Sequence, residues 1–499
     1  MNDESPEVRS LTSIRPPVEG GGPAQLDLPL VVDMDNTLLL SDTLLEMLLR
    51  RASRHPLQTL WAFGSLVKGR AAFKAALAAG ERFDVGDLPA RMDLFEYLLQ
   101  QRARGRAIYL VSAADQSIVD DVAARFGLFD GAFGSRGEKN LKGGAKLEFL
   151  QGKFPGGFAY AGDAAADLKV WQGAQAILIV GASSAVASRA KKLGKPIEAE
   201  FEATRPDFRT WRKTLRLHQW AKNILVFVPL LLGVHSRSAP HIAVCAAGFV
   251  LVGLAASATY IINDLADLSS DRRHRSKRNR PLASGAMPLN YALVAAPLML
   301  AVALAGALAL STSFAAALCV YLVVTLAYSF RLKRTPLLDV AVLSGLYTLR
   351  LVMGTFLAVS AFSPWLLTFS AFFFFAMSLA KRHVEVTTAI DAPPDQNLPG
   401  RGYRPSDAPL TLTLGVAASV ASVLVIVEYM MADAFPSNVY DFPLALWAAP
   451  VLLSLWVCRI WLLAHRGELE DDPVAFAVKD RISLGLGALL GLTFVMARV

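Results

Sequence analysis

The sequence predicts two domains of different kinds, an α/β domain with a Rossmann-like parallel sheet followed by an all-α bundle of nine membrane-spanning helices. Up to about residue 208, short apolar runs alternate with polar helical stretches, as in soluble α/β proteins. Beyond that point long apolar runs dominate, and a helix needs about 20 apolar residues to cross a bilayer. The average composition of the 499 residues, 54% hydrophobic and 18% charged, is therefore the mean of two unlike halves.

The α/β domain is predicted over 27–200, with a small helical cap at about 42–100, and the membrane domain over 208–499. Residues 1–26 are polar, lack the apolar segment of a signal peptide and are predicted to form a disordered tail. The three cysteines each lie inside an apolar run without metal-ligand spacing. This usage argues against a disulfide framework and a cysteine zinc site.

The first chemical motif follows the first predicted strand, 28–32, and reads Asp33-Met34-Asp35-Asn36-Thr37. Residues at the carboxyl end of a parallel strand lie where α/β sheets build their sites. One carboxylate there could attack a phosphoryl group while the second transfers the proton. Taken alone, the motif could equally be a polar turn.

Three further pieces follow in order along the α/β domain. A second strand ends in Ser112, whose hydroxyl could hold a phosphoryl oxygen. Lys142 and Lys146 lie at the predicted start of a helix, and either could neutralise the phosphate and the attacking aspartate. A later strand–Gly turn carries Asp163 and Asp167, whose carboxylate oxygens suit Mg²⁺.

All four pieces, in this order, resemble the haloacid dehalogenase (HAD) superfamily, which carries out phosphoryl chemistry on many substrates. The resemblance implies that Asp33 is the phosphoryl-accepting nucleophile and Asp35 the general acid/base. Lys146 fits the family spacing better than Lys142. The remaining implied roles are phosphate binding by Ser112 and one lysine, Mg²⁺ binding by Asp163 with Asp33, and support of that site by Asp167.

Nine apolar runs predict the membrane spans: 219–236, 241–262, 289–310, 313–330, 338–359, 364–383, 408–431, 443–464 and 482–498. One set of loops carries sixteen Lys and Arg residues, whereas the alternate set carries only Arg237. The positive-inside rule then places the α/β domain in the cytoplasm and the C-terminus on the opposite side of an inner (cytoplasmic) membrane. The net charge of +8 is explained by these loops and by phosphate chemistry, so no nucleic-acid partner is expected.

The second span ends in an acidic segment, Asn263-Asp264-Leu265-Ala266-Asp267-Leu268-Ser269-Ser270-Asp271. At about 100° per residue, Asp264, Asp267 and Asp271 fall on one stripe of a helix. Acids stacked at a span end repel one another, and a divalent cation would relieve this cost. Basic residues follow at once between positions 272 and 280, and acids that hold Mg²⁺ beside bases suit a diphosphate. Two alternatives to a metal-diphosphate site remain. The acids could be a solvated helix end, and the bases could serve only to anchor the membrane topology.

N-D-x-x-D-x-x-x-D followed by K-R-x-R-P-L-x-x-G, within nine spans, resembles the UbiA superfamily of intramembrane prenyltransferases over about 210–499. Aromatic prenyltransferases of that superfamily carry a second motif, DxxxD, after the sixth span. Ala380-Lys381-Arg382-His383-Val384-Glu385 stands there instead. Together with the stretches 215–231, 328–350 and 401–407, this departure resembles the decaprenyl-phosphate phosphoribosyltransferase branch. That branch uses phosphoribosyl diphosphate as donor and a polyprenyl phosphate as acceptor.

The resemblance implies that Asp264 and Asp267 act in catalysis and, with Asp271, hold Mg²⁺ and the diphosphate beside Asn263. Because both substrates of this branch carry phosphates, bases are expected to replace the second acidic motif. The candidate phosphate-binding residues are Lys222, Arg272, Lys277, Arg280, Lys333, Arg350, Lys381 and Arg382. Any one of them could instead be a topology anchor. Supporting roles are expected for Tyr328, Asp339 and Glu385.

The two resemblances together imply a bifunctional membrane enzyme with Mg²⁺ in both domains. The membrane domain would transfer 5-phosphoribose from phosphoribosyl diphosphate to polyprenyl phosphate, and the HAD-like domain would remove the 5-phosphate. One alternative is a prenyltransferase that moves a prenyl group from its diphosphate to an aromatic or lipid acceptor. Another is that the HAD-like domain is a non-catalytic regulatory module. The sequence is compatible with a monomer or an oligomer.

Overall fold

The chain divides into two compact units that we describe separately. The α/β unit comprises residues 1–214 with 264–293, and the membrane unit comprises 215–263 with 294–499. The computed structural model describes residues 28–55, 58–59, 61, 64, 84–136, 140–232, 238–389, 393, 395–398, 401–436, 440–469 and 473–497. The predicted disordered tail and most of the middle of the predicted cap lie outside these residues.

The α/β unit is built on a parallel sheet, as predicted. In the part of the chain that is described, the sheet has six strands in the order β3-β2-β1-β4-β5-β6, and all neighbouring strands are parallel. Its strands are β1 (Leu30–Val32), β2 (Ile108–Asp115), β3 (Gly131–Ser135), β4 (Ala159–Gly162), β5 (Ala176–Val180) and β6 (Ile197–Phe201). β1, β4 and β5 are fully buried because helices cover both sheet faces, which explains their continuous apolar sequences.

Short helices connect the strands. They are α1 (Thr43–Arg54), α2 (Met92–Ala103), α3 (Gln116–Phe126), α4 (Gly144–Lys153), α5 (Leu168–Gly173) and α6 (Ser184–Lys191), followed by α7 (Phe208–Thr214). α1 begins at Asp42 and α3 begins at Asp115, and each of these carboxylates accepts a backbone N–H of the first turn. α1 and α2 are the described helical parts of the predicted cap.

The segment 264–293 packs within the α/β unit, although it lies between two apolar helices in the sequence. Gly285 has φ +77°, and a Cβ at this position would lie 2.9 Å from Leu40 Cβ. The guanidinium of Arg272 donates to both carboxylate oxygens of Glu46, at 3.0 and 2.6 Å. Arg272 and Glu46 are 6% and 4% exposed, so this is a buried, bidentate ion pair.

We expect Glu46→Gln to lower the free energy of unfolding of this unit by about 3–5 kcal/mol, because a buried Arg272 would lose its counter-charge. A matched control is Arg273→Gln, which breaks an exposed pair with Asp87 whose partners are 53% and 36% exposed. That change should cost less than about 1 kcal/mol. Protease resistance of the detergent-solubilised chain against urea measures both, and equal shifts would contradict the assignment.

The membrane unit begins with a 3₁₀ helix at Leu217–Phe227. It continues through α8 (Val228–Leu232), α9 (Ala239–Ala266), α11 (Leu289–Leu310), α12 (Thr312–Phe330), α13 (Leu338–Ala358), α14 (Pro364–Thr387), α15 (Ala408–Tyr429), α16 (Ala448–His465), α17 (Pro473–Ala477) and α18 (Arg481–Met496). The end of α9, the start of α11 and the short α10 (Leu268–Arg273) between them belong to the α/β unit. Among the described residues, five apolar clusters of buried side chains lie within this unit, and the two largest form its core between the helices.

The number of long spans differs from the sequence prediction. Among the described residues, seven helices are long and apolar enough to cross a membrane, and these match seven of the nine predicted runs. The first and last runs form shorter apolar helices, Leu217–Leu232 and Arg481–Met496. The first begins as a 3₁₀ helix, which rises about 2.0 Å per residue and so spans a given distance with fewer residues. Nine full-length spans are therefore not confirmed.

Candidate functional sites

Asp33 and Asp35 lie at the carboxyl end of β1, in the turn that the motif predicted. Asp33 Oδ1 accepts from the backbone N–H of Met34 at 2.9 Å. Asp35 Oδ1 accepts from the backbone N–H of Thr43, at the start of α1, at 2.8 Å. Between them Asn36 adopts a left-handed φ of 57°, a conformation that Asn tolerates better than most residues. The turn thus directs two carboxylates to one edge of the sheet.

Lys146 lies beside the proposed nucleophile. Its Nζ is 3.0 Å from Asp33 Oδ1 and donates to the Tyr160 hydroxyl at 2.8 Å, and the residue is 3% exposed. Lys142 lies in the wall of the same cavity but is exposed. The position of Lys146 therefore favours it as the lysine of this site. The sequence does not predict a role for Tyr160 in this site, because it is one of several residues of an apolar strand.

Asp163 and Asp167 lie in the loop after β4. Asp167 accepts from the backbone N–H groups of Asp163 and Ala164 at 3.2 and 2.9 Å, and from the Tyr160 hydroxyl at 2.9 Å. A Cβ at Gly162 would lie 2.8 Å from this carboxylate, so glycine is needed there. These bonds hold Asp167 in place, as expected of a supporting residue.

Carboxylate oxygens of Asp33, Asp163 and Asp167 lie within 4.8 Å of one another. The Thr37 hydroxyl donates to Asp163 Oδ1 at 3.1 Å. An all-oxygen group of this size is the donor set that Mg²⁺ prefers, so the residues fit the metal that the HAD resemblance implies. Ser112 completes the site: it is 1% exposed, lines the cavity, and its Oγ accepts from the backbone N–H of Ala114 at 3.1 Å.

Crowding of buried acids changes their protonation. Burial, with the charges of Asp33 and Asp167 adding to it, raises the pKa of Asp163 from 3.8 to about 8. Burial and the charge of Asp42 raise the pKa of Asp35 to about 7. Burial also raises the pKa of Asp33, to about 6, although Lys146 opposes this increase. A pKa near 7 suits Asp35 to donate and accept protons at neutral pH.

These pKa values predict how stability depends on pH. Between the ordinary value of 3.8 and about 8, the folded state binds more protons at Asp163 than the unfolded state does. The free energy of unfolding should therefore fall as the pH rises through this window in the absence of metal. Mg²⁺ needs ionised carboxylates, so it should raise the melting temperature of the chain more at pH 8 than at pH 6.

A melting series with and without Mg²⁺ tests this expectation, with EDTA in the metal-free samples. The Asp163→Asn variant is the control, because it removes both the titrating group and a metal ligand. In that variant the extra stabilisation at the higher pH should be lost. An equal effect of Mg²⁺ at both pH values in the unmodified chain would contradict the proposed metal site.

The cavity above these residues has a volume of about 390 Å³. Its floor is the acidic group with Lys146, and its wall includes Leu44 and Met47 of α1. Asp42 and Asp115 also line it, although both carboxylates already cap helices. The site can therefore hold one phosphate ester against a nucleophile, a proton donor and a lysine.

The acidic segment after α9 has a different arrangement. Asp264 and Asp271 are 5% and 2% exposed, and Arg280 Nη1 bridges them at 3.0 and 2.5 Å. The single helix predicted to carry all three aspartates is broken at Asp267, which lies between α9 and α10. These aspartates offer the oxygen ligands that Mg²⁺ prefers, but among the described residues Asp264, Asp267 and Asp271 do not form a group within 4.8 Å, as Asp33, Asp163 and Asp167 do. The Arg280 guanidinium lies between Asp264 and Asp271 instead. Lys277 is exposed in the following turn.

Arg382 in the membrane unit lies in a buried ion-pair network. It is 1% exposed, its Nε donates to Asp339 Oδ2 at 2.7 Å, and its Nη1 pairs with Glu385. The Tyr403 hydroxyl donates to the other Asp339 oxygen at 2.7 Å, and Tyr328 accepts from Arg382. In this structure Arg382, like Arg272 in the α/β unit, is committed to carboxylates, so the predicted phosphate contacts would require these pairs to open.

A second polar cluster lies among the apolar helices of the membrane unit. The Arg350 guanidinium donates to Asn223 Oδ1 at 3.0 Å and to the Tyr321 hydroxyl at 2.9 Å. Lys222 Nζ lies 5.7 Å from the centre of the Tyr347 ring. Sequence reasoning did not identify Asn223 as a site residue, although a polar Asn beside Lys222 within an apolar run indicates a polar site.

The other predicted residues of this unit are Lys333 in a 3₁₀ turn, Lys381 in α14 and Asn263 in α9, all half-buried.

Comparison with known proteins identifies the family to which the membrane part of the chain is related. An uncharacterised protein, y4nM, from Sinorhizobium fredii is 45% identical over 470 residues, covering 94% of this chain and 91% of that protein. A decaprenyl-phosphate phosphoribosyltransferase from Mycobacterium tuberculosis is 31% identical over 293 residues, covering 58% of this chain and 93% of that protein. A UbiA homologue from Archaeoglobus fulgidus, solved with DMAPP and Mg²⁺, is 17% identical with a TM-score of 0.41, covering 58% of this chain and 97% of that one.

The similarity to the Sinorhizobium protein extends over nearly the whole chain, so the two proteins share both the α/β part and the membrane part. A family model described as the UbiA prenyltransferase family matches residues 224–483, which is about half of the chain. The matched region holds the acidic segment, the bases that follow it and most of the apolar helices. The chain is therefore a multi-pass membrane protein that belongs to the UbiA prenyltransferase family.

Proposed function

We propose that the chain is a bifunctional enzyme of polyprenyl-phosphoryl-pentose synthesis in the inner membrane, with its α/β unit in the cytoplasm. The membrane part transfers 5-phosphoribose from phosphoribosyl diphosphate to a polyprenyl phosphate, and the HAD-like part hydrolyses the 5-phosphate of the product. The observation that carries the proposal is the group of Asp33, Lys146, Asp163 and Asp167 in a chain whose membrane part resembles a phosphoribosyltransferase.

The choice of donor is supported by the relative and by residues near the end of α14, the fifth of the seven long spans. The phosphoribosyltransferase is matched over 93% of its length. Where aromatic prenyltransferases carry their second acidic motif, this chain has Lys381 and the buried Arg382. Bases at this place suit a donor and an acceptor that both bring phosphates. In the free chain Arg382 pairs with Asp339 and Glu385, so phosphate binding there would exchange these carboxylates for the substrate.

In the proposed transfer, the bond between ribose C1 and the diphosphate breaks while a phosphate oxygen of the acceptor lipid bonds to C1. Asp264 and Asp271, together with Asp267, would hold Mg²⁺, which neutralises the charge of the leaving diphosphate. Arg280 already bridges two of these carboxylates and stays close to the released anion. The nearby carboxylates would also stabilise the positive charge that builds at C1.

In the proposed hydrolysis, the Asp33 carboxylate attacks the phosphorus of the 5-phosphate while Asp35 donates a proton to the leaving ribose oxygen. Water then cleaves the aspartyl phosphate, and Asp35 takes a proton from that water. Lys146, 3.0 Å from Asp33, aligns the nucleophile and neutralises charge on the phosphoryl oxygens. Mg²⁺ held by Asp33 and Asp163 would shield the attacking carboxylate from the phosphate.

A donor assay tests the transferase half. Purified chain is given polyprenyl phosphate with Mg²⁺ and either phosphoribosyl diphosphate or a prenyl diphosphate. We expect a ribosylated lipid with the first donor and no prenyl transfer with the second. The family match favours the second candidate function, prenyl transfer to an aromatic or lipid acceptor. Product from the prenyl diphosphate alone would overturn the phosphoribosyl assignment in favour of that alternative.

A further inference from the structure

Arg350 is a buried cation inside the membrane unit. It is 6% exposed and lies in the middle of α13, twelve residues after the first residue, Leu338. At about 1.5 Å per residue this is roughly 18 Å along the helix, near the middle of a hydrocarbon core about 30 Å thick. A charge at this depth is costly unless an opposite charge accompanies it.

The acceptors around Arg350 are neutral. Its guanidinium donates to the amide oxygen of Asn223, to the backbone oxygen of Leu346 at 2.7 Å and to the hydroxyl of Tyr321. The rings of Tyr321 and Tyr347 lie 4.9 and 5.5 Å from its central carbon. Among the ion pairs of the described residues, none joins Arg350 to a carboxylate. Arg350 therefore carries a positive charge that these hydrogen-bond partners do not cancel.

Asn223 adds a donor that the protein leaves unused. The residue is 1% exposed, and Arg350 fixes its amide by taking the oxygen. Its Nδ2 group has no hydrogen-bond partner among the described residues. A buried amide N–H without a partner is destabilising, so a bound acceptor explains it better than a packing role. The adjacent Lys222 brings a second positive charge next to the same tyrosine, Tyr347.

An apolar cavity begins on the same helices. Its volume is about 710 Å³, and Val228, Pro229, Thr355, Trp365 and Phe369 are among its lining residues. Val228 follows Asn223 by five residues along the chain, and Thr355 follows Arg350 by five residues. A cationic cluster with an apolar cavity about one and a half turns further along α13 suits an amphiphile with a phosphate head and a hydrocarbon tail. A soluble sugar diphosphate has no group for such a cavity.

We propose that Arg350, Lys222 and the Asn223 amide bind the phosphate monoester of a polyprenyl phosphate, with its first isoprene units in the adjacent apolar cavity. The inference rests on the proposed function, to which it adds the site of the acceptor. The lipid phosphate is held below the membrane surface by two cations and one neutral donor. Arg350 is bound to neutral partners before the lipid arrives, so the site is preorganised.

Binding of farnesyl phosphate to the full chain in detergent, without donor, tests the proposal. Farnesol and inorganic diphosphate are the two comparison ligands. We expect Arg350→Met to weaken farnesyl phosphate binding at least about ten-fold, because charged hydrogen bonds contribute about 1.5–3 kcal/mol. Arg350→Lys should recover part of the lost farnesyl phosphate affinity. Arg466→Met is the matched control, because Arg466 is exposed, and it should bind farnesyl phosphate as tightly as the unmodified chain does.

Lys222→Met is the second variant, and it decides the matter if Arg350→Met does not fold. Unchanged farnesyl phosphate binding in the folded variant would overturn the proposal. A loss of inorganic diphosphate or phosphoribosyl diphosphate binding with retained farnesyl phosphate binding would also overturn it, and would assign the cluster to the donor. Failure of the proposed function looks different: farnesyl phosphate binds through the cluster, but the chain transfers no phosphoribose.

Discussion

The Asp33→Asn variant is expected to release phosphate from the 5-phosphorylated lipid at least about a thousand-fold more slowly than the unmodified chain, because it lacks the attacking carboxylate. Burial raises the pKa of Asp33 to about 6, while the charge of the neighbouring Lys146 opposes this increase. The melting temperature of the variant is measured beside its activity, so that any loss of stability from removing the partner of Lys146 is separated from the loss of the nucleophile. Phosphate release from the purified lipid, supplied without donor, measures the effect.

Asp207→Asn is the matched control for Asp33→Asn. Asp207 is a carboxylate of the same unit that accepts from the backbone N–H of Thr210 at 2.7 Å, and Asn can make the same helix cap. It should release phosphate at the rate of the unmodified chain. Equal release from Asp33→Asn and from the unmodified chain would show that the α/β unit does not hydrolyse this lipid by the proposed route.

The Asp264→Asn variant is expected to lower phosphoribosyl transfer at least about a hundred-fold. Asp264 is 5% exposed and shares Arg280 with Asp271, so its carboxylate is placed to hold a cation with its neighbour. A metal that neutralises a leaving group contributes several kcal/mol to the transition state. Transfer of labelled ribose to lipid, measured across a range of Mg²⁺ concentrations, checks this expectation.

Two controls belong to the Asp264 experiment. Asp441→Asn changes an exposed carboxylate of the membrane unit and should leave transfer unchanged. Phosphate release by Asp264→Asn from supplied lipid should also remain, because Asp33 is intact. Transfer within about threefold of the unmodified rate would remove Asp264 from the proposed metal site.

Much of the α/β unit follows from local sequence. The sequence predicts that Asp33, Asp163 and Asp167 follow strands and that Ser112 ends one, and all four line one cavity. Ser112 itself lies inside β2, which continues to Asp115. This outcome is expected because parallel strands present their carboxyl ends at one edge of the sheet. Sequence spacing only favoured Lys146 over Lys142, whereas the structure shows a buried contact between Lys146 and Asp33. That contact depends on packing across 113 residues of chain.

The membrane unit shows what a linear pattern leaves out. Hydropathy predicted where apolar helices lie, but it did not predict that the first begins as a 3₁₀ helix, because composition does not encode the hydrogen-bond pattern. Arg272 and Arg382 were singled out as phosphate binders on their position in basic loops. Their carboxylate partners Glu46 and Asp339 lie 226 and 43 residues away, so sequence neighbours do not reveal them.

The most direct test of the account is the lipid that the intact chain makes from phosphoribosyl diphosphate and polyprenyl phosphate. The account predicts polyprenyl-phosphoryl-ribose and free phosphate from the unmodified chain. From Asp33→Asn it predicts the same amount of lipid with the 5-phosphate retained. Mass spectrometry of the extracted lipid distinguishes the two products. A 5-phosphorylated lipid from both proteins, in equal amounts, would contradict a bifunctional enzyme.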